Sequence, residues 1–199
     1  SLDDIFIESI FEAKDIYNVN FKVTPNTHPI LTLECSVKEN YDIENVVRNI
    51  YDKTLAIFIY KDGQKKVLFT GVVKESKLVC NSKINTLKIK VMGFTIMLDK
   101  EIHTRIFQDK ELTYKEVINN TMSKKCGQVI FNEEDSKVEK LLFQYKETDW
   151  QFIRRISGLC ESILIPLFHE NEVRLSYGLP RSAKEIELKE DFYASGNHM

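Results

Sequence analysis

The chain has 199 residues, of which 43% are hydrophobic, 11% aromatic and 29% charged, and its formal net charge at pH 7 is −2. This length can bury the core of one domain or of two small ones. Without a basic excess, the composition gives no support for binding to nucleic acid or to an anionic membrane. No apolar run reaches the roughly 18 residues of a membrane-spanning segment, and the start of the sequence lacks the basic residues of a signal peptide.

No catalytic or metal-binding pattern stands out. The four cysteines (35, 80, 126 and 160) are far apart, without a Cys-x-x-Cys pair or a nearby histidine, which indicates free thiols in a reducing compartment. None of the four histidines stands in a ligand or triad pattern. The acidic stretch at 133–135 has lysines near it and is expected to be solvated rather than a catalytic carboxylate pair. We therefore expect no enzyme activity, no cofactor and no metal.

The first half is predicted to be β structure, because apolar and polar residues alternate there with the period of half-buried antiparallel strands. Asp62-Gly63 supplies the positive φ angles of a tight hairpin turn. A short helix is expected after the second strand, with Asn40 or Asp42 as its cap. Six closely joined strands predict a small barrel or a curled sheet. The strands are predicted over residues 18–24, 31–37, 55–60, 65–73, 77–80 and 86–92.

The predicted strand over 55–60 is apolar on both faces, since Leu55, Ile57 and Ile59 alternate with Ala56, Phe58 and Tyr60. Such a strand is either covered by a helix of its own chain or docked to a neighbouring chain. The first explanation is favoured, and docking stays open.

The second half is predicted to contain two capped amphipathic helices. Thr113 and Glu116 have the spacing of a capping box, as do Thr148 and Gln151. Gly127 is expected to end the first helix in the left-handed conformation. The apolar face of the second helix consists of Trp150, Ile153, Ile156 and Leu159, widened by Phe152 and Cys160. Short strands are predicted over 128–131, 141–145, 163–168 and 172–177, the last two as a hairpin.

Three motifs follow one another in a distinctive order. Phe-x-Gly-x-Val spans 69–73, Ile-Phe-Gln at 106–108 leads into a helix, and Gln-Tyr-x-Glu-Thr-Asp at 144–149 precedes a helix that carries a tryptophan and an arginine pair. Their order and spacing resemble the hub family of contractile injection machines, which includes the late-control D tail proteins of phages and the VgrG spike proteins of type VI secretion. The match spans roughly residues 65–178. The residues that it marks for structure or assembly are Phe69, Gly71, Val73, Ile106, Phe107, Gln108, Gln144, Tyr145, Thr148, Asp149, Trp150, Phe152, Arg154 and Arg155.

The resemblance implies an α+β fold. An antiparallel, barrel-like domain related to tail-tube proteins is expected over 18–98, followed by a smaller α/β domain with two amphipathic helices over 99–180. Residues 1–17 and 181–199 are expected to be peripheral or artificial boundary segments. Because family members continue into a second barrel and often a spike, the chain is expected to be a truncated or short variant. Of the two adjacent arginines, 154 and 155, we expect one to reach a carboxylate or carbonyl and the other to be solvated, although both could be ordinary surface charge.

The resemblance also implies a structural baseplate hub or spike component that joins the tube to the spike. Its expected partners are further copies of itself, as a homotrimer when full length, the tail-tube protein, and spike or baseplate proteins. It would be made in the cytoplasm and incorporated into a phage tail or injection-system particle. Two alternatives stay open, a cell-wall hydrolase domain associated with such a machine and a β-rich binding module. A sandwich without the Trp150 helix packed on a sheet would favour the binding module.

Overall fold

The computed structural model describes residues 2–80, 85–109, 111–122, 127–168 and 171–179. The predicted peripheral segment 181–199 lies outside these residues, as do Cys126 and the tip of the predicted hairpin at 169–170. No helix in the described part of the chain is long and apolar enough to cross a membrane.

The first part contains β1 (Phe6–Glu8), β2 (Ala13–Lys22), β3 (Ile30–Val37), α1 (Ile43–Asn49), β4 (Thr54–Lys61), β5 (Gln64–Cys80) and β6 (Asn85–Gly93). The second contains a 3-10 helix (Phe94–Asp99), β7 (Ile102–Phe107), α2 (Tyr114–Met122), β8 (Gln128–Phe131), β9 (Leu142–Thr148), α3 (Asp149–Leu159), β10 (Leu164–Leu167) and β11 (Arg174–Tyr177).

The first six strands form one antiparallel sheet in the order β1-β4-β5-β6-β3-β2. The sheet curls into a half-barrel, as the sequence predicts. The turn between β4 and β5 has positive φ angles at Asp62 (52°) and Gly63 (74°), and the side chain of Asp42 caps α1.

The strand count agrees with the prediction, but two of its members differ. The strands predicted over 65–73 and 77–80 are one strand of 17 residues, β5. The pairing of β5 with β6 shifts register between Val73 and Glu75. The polar residues between the two predicted strands therefore mark a bulge rather than a turn. The strand that brings the count to six is β1, which was not predicted because it has only three residues.

The inner face of the curled sheet encloses the first hydrophobic core. The assignment of residues 1–17 to a peripheral segment needs correction, since β1 pairs with β4 and Phe11 is only 2% exposed. Burial of the Phe11 ring in this core stabilises the fold. The buried members of the core are Phe11, Leu31, Leu33, Cys35, Val46, Ile50, Leu55, Ile57, Phe69, Val73, Leu87, Ile89 and Val91.

The outer face of β4 is covered from within the chain. The ring of Phe6 on β1 stacks on Phe58 with 5.6 Å between centroids, and the Lys65 ammonium lies 4.2 Å from the centre of the Phe58 ring. Phe58 is thereby buried, whereas Tyr60, at the end of the strand, stays exposed. The contact on this face thus comes from β1, a strand, and not from the expected helix.

The second hydrophobic core lies among α2, α3 and two small sheets. One sheet has the order β10-β11-β8, with β8 and β11 parallel, and the other is the two-stranded ribbon β7–β9. The 3-10 helix enters this core through Leu98, although the sequence analysis ends the barrel-like domain at residue 98. The buried members are Leu98, Val117, Ile118, Met122, Val138, Leu142, Trp150, Phe152, Ile153, Ile156, Leu164, Val173, Leu175 and Tyr177.

Two local predictions in this part were wrong. Leu159 is 59% exposed, because α3 ends there and the chain reverses at Glu161, which has a φ of 52°. Gly127 has no positive φ. A Cβ at this position would lie 2.6 Å from the Met122 methyl carbon, so the end of that flexible side chain would have to shift.

Gly71 tests the packing of the curled sheet. A Cβ at Gly71 would overlap the Met92 carbonyl oxygen and lie 2.8 Å from its carbon, both of them backbone atoms of β6. We expect Gly71→Ala to lower the free energy of unfolding by about 1–3 kcal/mol or more, because the strands must separate. Gly158→Ala is the matched control, since its Cβ would meet nothing within 4 Å and an alanine inside α3 should stabilise by about 0.5–1 kcal/mol. Urea denaturation of both variants checks this, and equal effects would contradict it.

Candidate functional site

The N-terminus of α3 is fixed by its cap. Thr148 ends β9, and its hydroxyl accepts a hydrogen bond from the Gln151 backbone N–H at 3.1 Å. The Gln151 side-chain oxygen accepts one from the Thr148 N–H at 3.0 Å. This is the predicted capping box, and it leaves no room for a loop between strand and helix. The helix direction is therefore set by the ribbon. The other predicted box is also confirmed, as Thr113 and Glu116 bond reciprocally.

The first residue of α3 carries a buried charge. The Asp149 side chain is 1% exposed, and its Oδ1 accepts hydrogen bonds from Arg105 Nη1 at 2.7 Å and from Gln144 Nε2 at 3.0 Å. Gln144 Oε1 in turn accepts from Arg105 Nη1 at 3.1 Å. A carboxylate at a helix N-terminus is further stabilised by the helix dipole. The ribbon and α3 are thus joined by a charged, hydrogen-bonded contact inside the second core.

Removing this carboxylate tests whether the contact supports the fold. Asp149→Ala leaves the Arg105 guanidinium without its carboxylate in a mostly buried setting, and we expect a loss of about 3–5 kcal/mol in the free energy of unfolding. Lys137→Ala is the control, because it breaks an exposed ion pair with Glu111 and should cost at most about 1 kcal/mol. Chemical denaturation measures both. A cost for Asp149→Ala no larger than the control would show that the buried pair does not hold α3.

A loop from the first part reaches the same helix end. The loop of residues 23–29, between β2 and β3, places His28 Nε2 at 2.8 Å from Asp99 Oδ2 and Nδ1 at 2.9 Å from Thr95 Oγ1. Its ring centre lies 4.3 Å from that of Trp150. The other oxygen of Asp99 accepts from the Thr148 hydroxyl at 2.5 Å. We call this set of five residues, His28, Thr95, Asp99, Thr148 and Trp150, the joint.

The joint is supported by a second contact of the same loop. The Asn26 backbone N–H donates to the Leu164 carbonyl at 2.8 Å, and Asn26 Oδ1 accepts from the Leu164 N–H at 2.9 Å. Burial is the main cause that lowers the pKa of His28, with Arg154 acting in the same direction and Asp99 against it. The ring is therefore neutral at pH 7.

The two arginines of α3 behave differently. Arg155 donates to the Glu147 carboxylate and to the Phe143 carbonyl at 2.6 Å, and its guanidinium carbon lies 5.2 Å from the centre of the Phe152 ring. Arg154 is exposed. The expectation that one arginine reaches a carboxylate or carbonyl is confirmed, and Arg155 clamps α3 onto β9.

The outer face of the β7–β9 ribbon is apolar and exposed. Ile106 lies opposite Phe143, and Thr104 opposite Tyr145, while the Phe143 and Tyr145 rings stack at 5.4 Å. A cluster of exposed apolar side chains of this kind is typical of an interaction surface. We call it the ribbon face; its members are Ile102, Ile106, Leu141, Phe143 and Tyr145, which are 39–69% exposed.

The residues that the sequence analysis marked for structure or assembly fall into two places. Phe69, Gly71 and Val73 lie on β5 in the first part, and the others lie on or near the ribbon and α3. Most are internal: Phe69, Gly71, Val73, Gln144, Thr148, Asp149, Trp150 and Phe152 are buried, and Phe107 is half-buried against Phe152. The exposed ones are Ile106, Gln108, Tyr145, Arg154 and Arg155.

Sequence reasoning missed the remaining partners in the joint and in the buried ion pair. Arg105 could have been predicted as a partner, because it lies on the same face of β7 as the inward-facing Phe107. A charged residue at such a position needs a buried partner. His28 and Asp99 carried none, because they are 71 residues apart and sit in a loop and a short helix without a periodic pattern.

Within the described ranges no three His, Cys, Asp or Glu side chains are grouped so that they could hold a metal ion. The acidic stretch 133–135 is exposed beside a cavity of about 270 Å³, and Asp135 accepts a hydrogen bond from the Lys115 N–H. Burial raises the pKa of the Cys35 thiol to about 12, so it is an unreactive core residue.

Solved structures of tail proteins share this architecture. An Escherichia coli protein, c3393, is described as a component of the type VI secretion system with structural similarity to the T4 bacteriophage tail proteins gp27 and gp5. It matches with a TM-score of 0.63 and 11% identity over 86% of this chain and 48% of its own. The 43 kDa tail protein of prophage MuSo2 from Shewanella oneidensis matches with a TM-score of 0.61 and 10% identity, over 86% and 52%. A Neisseria meningitidis tail protein matches with 0.56 and 14%, over 86% and 50%.

The chain has the fold of phage and type VI secretion tail proteins. The resemblance predicted from the sequence is therefore confirmed for the fold. The chain spans about half the length of these solved proteins. No protein-family model matches the sequence, and no curated protein matches it. At identities of 10–14% the likeness is one of fold.

Proposed function

We propose that the chain is a structural component of the hub or spike region of a contractile phage tail or a related injection system, where it joins the tube to the spike. The observation that carries the proposal is the tail-protein fold, which extends over 86% of the chain. The landmark motifs at 69–73, 106–108 and 144–149 support it, because their buried members hold the two cores in place. The protein would be made in the cytoplasm and incorporated into the particle.

We further propose a division into a barrel-like domain over 18–98, extended by β1 and Phe11 before it, and an α/β domain over 99–180. Two separate clusters of buried side chains support this division. The joint lies between them and connects the loop of residues 23–29 to the start of α3.

The proposed partners are further copies of the chain, as a homotrimer when the protein is full length, together with the tail-tube protein and spike or baseplate proteins. The ribbon face offers a contact surface, since its five apolar side chains are exposed on a rigid two-stranded base. Ile106 and Tyr145 belong both to this face and to the landmark motifs. They are the residues for which a role in assembly is most direct.

A charge placed on the ribbon face tests this role. Ile106→Asp should reduce incorporation into purified tail particles at least tenfold, because desolvating a carboxylate at an apolar contact is costly. The free energy of unfolding should change by about 0.5 kcal/mol or less, since the side chain is solvated in the isolated chain. Ile130→Asp is the matched control, as Ile130 is exposed to a similar degree (47% against 53%) on β8. Incorporation is measured by quantitative mass spectrometry of particles; an equal effect of both substitutions would count against the ribbon face.

The function itself is tested by locating the protein. Antibody labelling of intact particles should mark the baseplate end of the tail, and deletion should yield particles without an attached spike. Absence from purified particles would overturn the proposal. We also expect no turnover of peptidoglycan by the purified chain; measurable release of soluble fragments would instead favour a cell-wall hydrolase.

A further inference from the structure

His28 lies between the two cores, and its hydrogen bonds suit a neutral imidazole. Nε2–H donates to Asp99 Oδ2, and Nδ1 accepts from the Thr95 hydroxyl. This assignment of the tautomer follows from the partners, because a carboxylate can only accept. Both ring nitrogens are thus satisfied without a positive charge. A proton on Nδ1 would turn that nitrogen into a second donor, and the Thr95 hydroxyl would have to rotate so that its oxygen accepts.

The surroundings of the ring disfavour a positive charge. The His28 side chain is 9% exposed, and one face lies on the indole of Trp150. Two charged groups face it: Asp99 from the 3-10 helix favours the imidazolium, whereas Arg154 from α3 opposes it. The loop of residues 23–29 itself contributes no other charge. Burial outweighs Asp99, so the pKa of the docked ring lies below its ordinary value.

We propose that His28 is a pH-sensitive latch: the neutral ring holds the loop of residues 23–29 on α3, and protonation releases that loop. Release would also break the two Asn26–Leu164 hydrogen bonds, because they are made by the same loop. The two cores would then lose the joint, while the 3-10 helix and the hydrogen bonds of Thr70 to Phe168 and Asn171 still connect them.

The direction of the effect follows from proton linkage. The released imidazole has an ordinary pKa near 6.5, about the value of an exposed histidine, and the docked one has a lower pKa. The released form therefore binds the proton more tightly. Its population relative to the docked form rises about tenfold for each pH unit below about 6.5, until the docked ring also becomes protonated. The joint is stable at neutral pH and weakens as the pH falls.

Trp150 gives a direct readout, since it is the single tryptophan of the chain and is only 3% exposed. Between pH 7.5 and 5 we expect its emission to shift to longer wavelength and acrylamide quenching to increase, with a midpoint below pH 6.5. Hydrogen exchange, corrected for its intrinsic dependence on pH, should show lost protection of the amides of Asn26 and Leu164 at the same midpoint.

Two variants separate the latch from general acid effects. His28→Gln keeps an N–H donor for Asp99 but cannot titrate, so its emission should not change over this range. His103→Gln removes another partly buried histidine of the second part and should keep the transition.

The proposal is overturned if emission is constant in the unmodified chain, or if His28→Gln shows the same transition. It is equally overturned if Trp150 is quenched without a shift while the two amides stay protected, because protonation would then occur without release. Should His28→Gln not fold, nitrogen chemical shifts of labelled imidazoles decide: titration of His28 at the midpoint of amide exchange supports the latch, and a different midpoint contradicts it.

Discussion

The carboxylate of Asp99 joins three chain segments at the place where the two halves of the chain meet. One oxygen accepts from His28, in a loop of the curled sheet, and the other accepts from Thr148, the cap of α3. A single side chain at the end of the 3-10 helix therefore sets both the position of the loop and the start of the helix. Because hydrogen bonds to an ionised group are stronger than neutral ones, the geometry of three chain segments is fixed by one charge.

The consequences extend along α3. Once Thr148 is held, Asp149 must enter the second core, and Arg105 and Gln144 supply the hydrogen bonds that make this possible. Trp150, one residue further, is brought against His28. Removing two charges from water is expensive. The hydrogen bonds to Asp149 Oδ1 offset part of this cost, whereas Oδ2 has no hydrogen-bond partner and lies 3.6 Å from His103 Nε2. The polar interior thus specifies one orientation of the helix, which apolar packing alone would leave less defined.

The sequence could predict the local features, because their causes are local. Both capping boxes, the Asp62-Gly63 turn and the alternation of β3 and β6 depend on neighbours within a few residues. The parallel pairing of β8 with β11 could not be found in this way, nor could the contact of His28 with Asp99, since each joins segments far apart in the chain. Leu159 shows the limit of periodicity: its spacing fits the apolar face, yet the helix ends there and the side chain is 59% exposed.

The parallel pairing of β8 with β11 also sets an order of events during synthesis. The curled sheet is complete once β6 has been made, whereas Gln128–Phe131 must wait for Arg174–Tyr177 at the far end of the described chain. Long-range strand pairing is slow to form. On the ribosome, the first core would therefore close while the apolar sides of α2 and α3 still lacked their sheet. A nascent chain stalled in this interval would present those helices to chaperones, which bind exposed apolar surface of this kind.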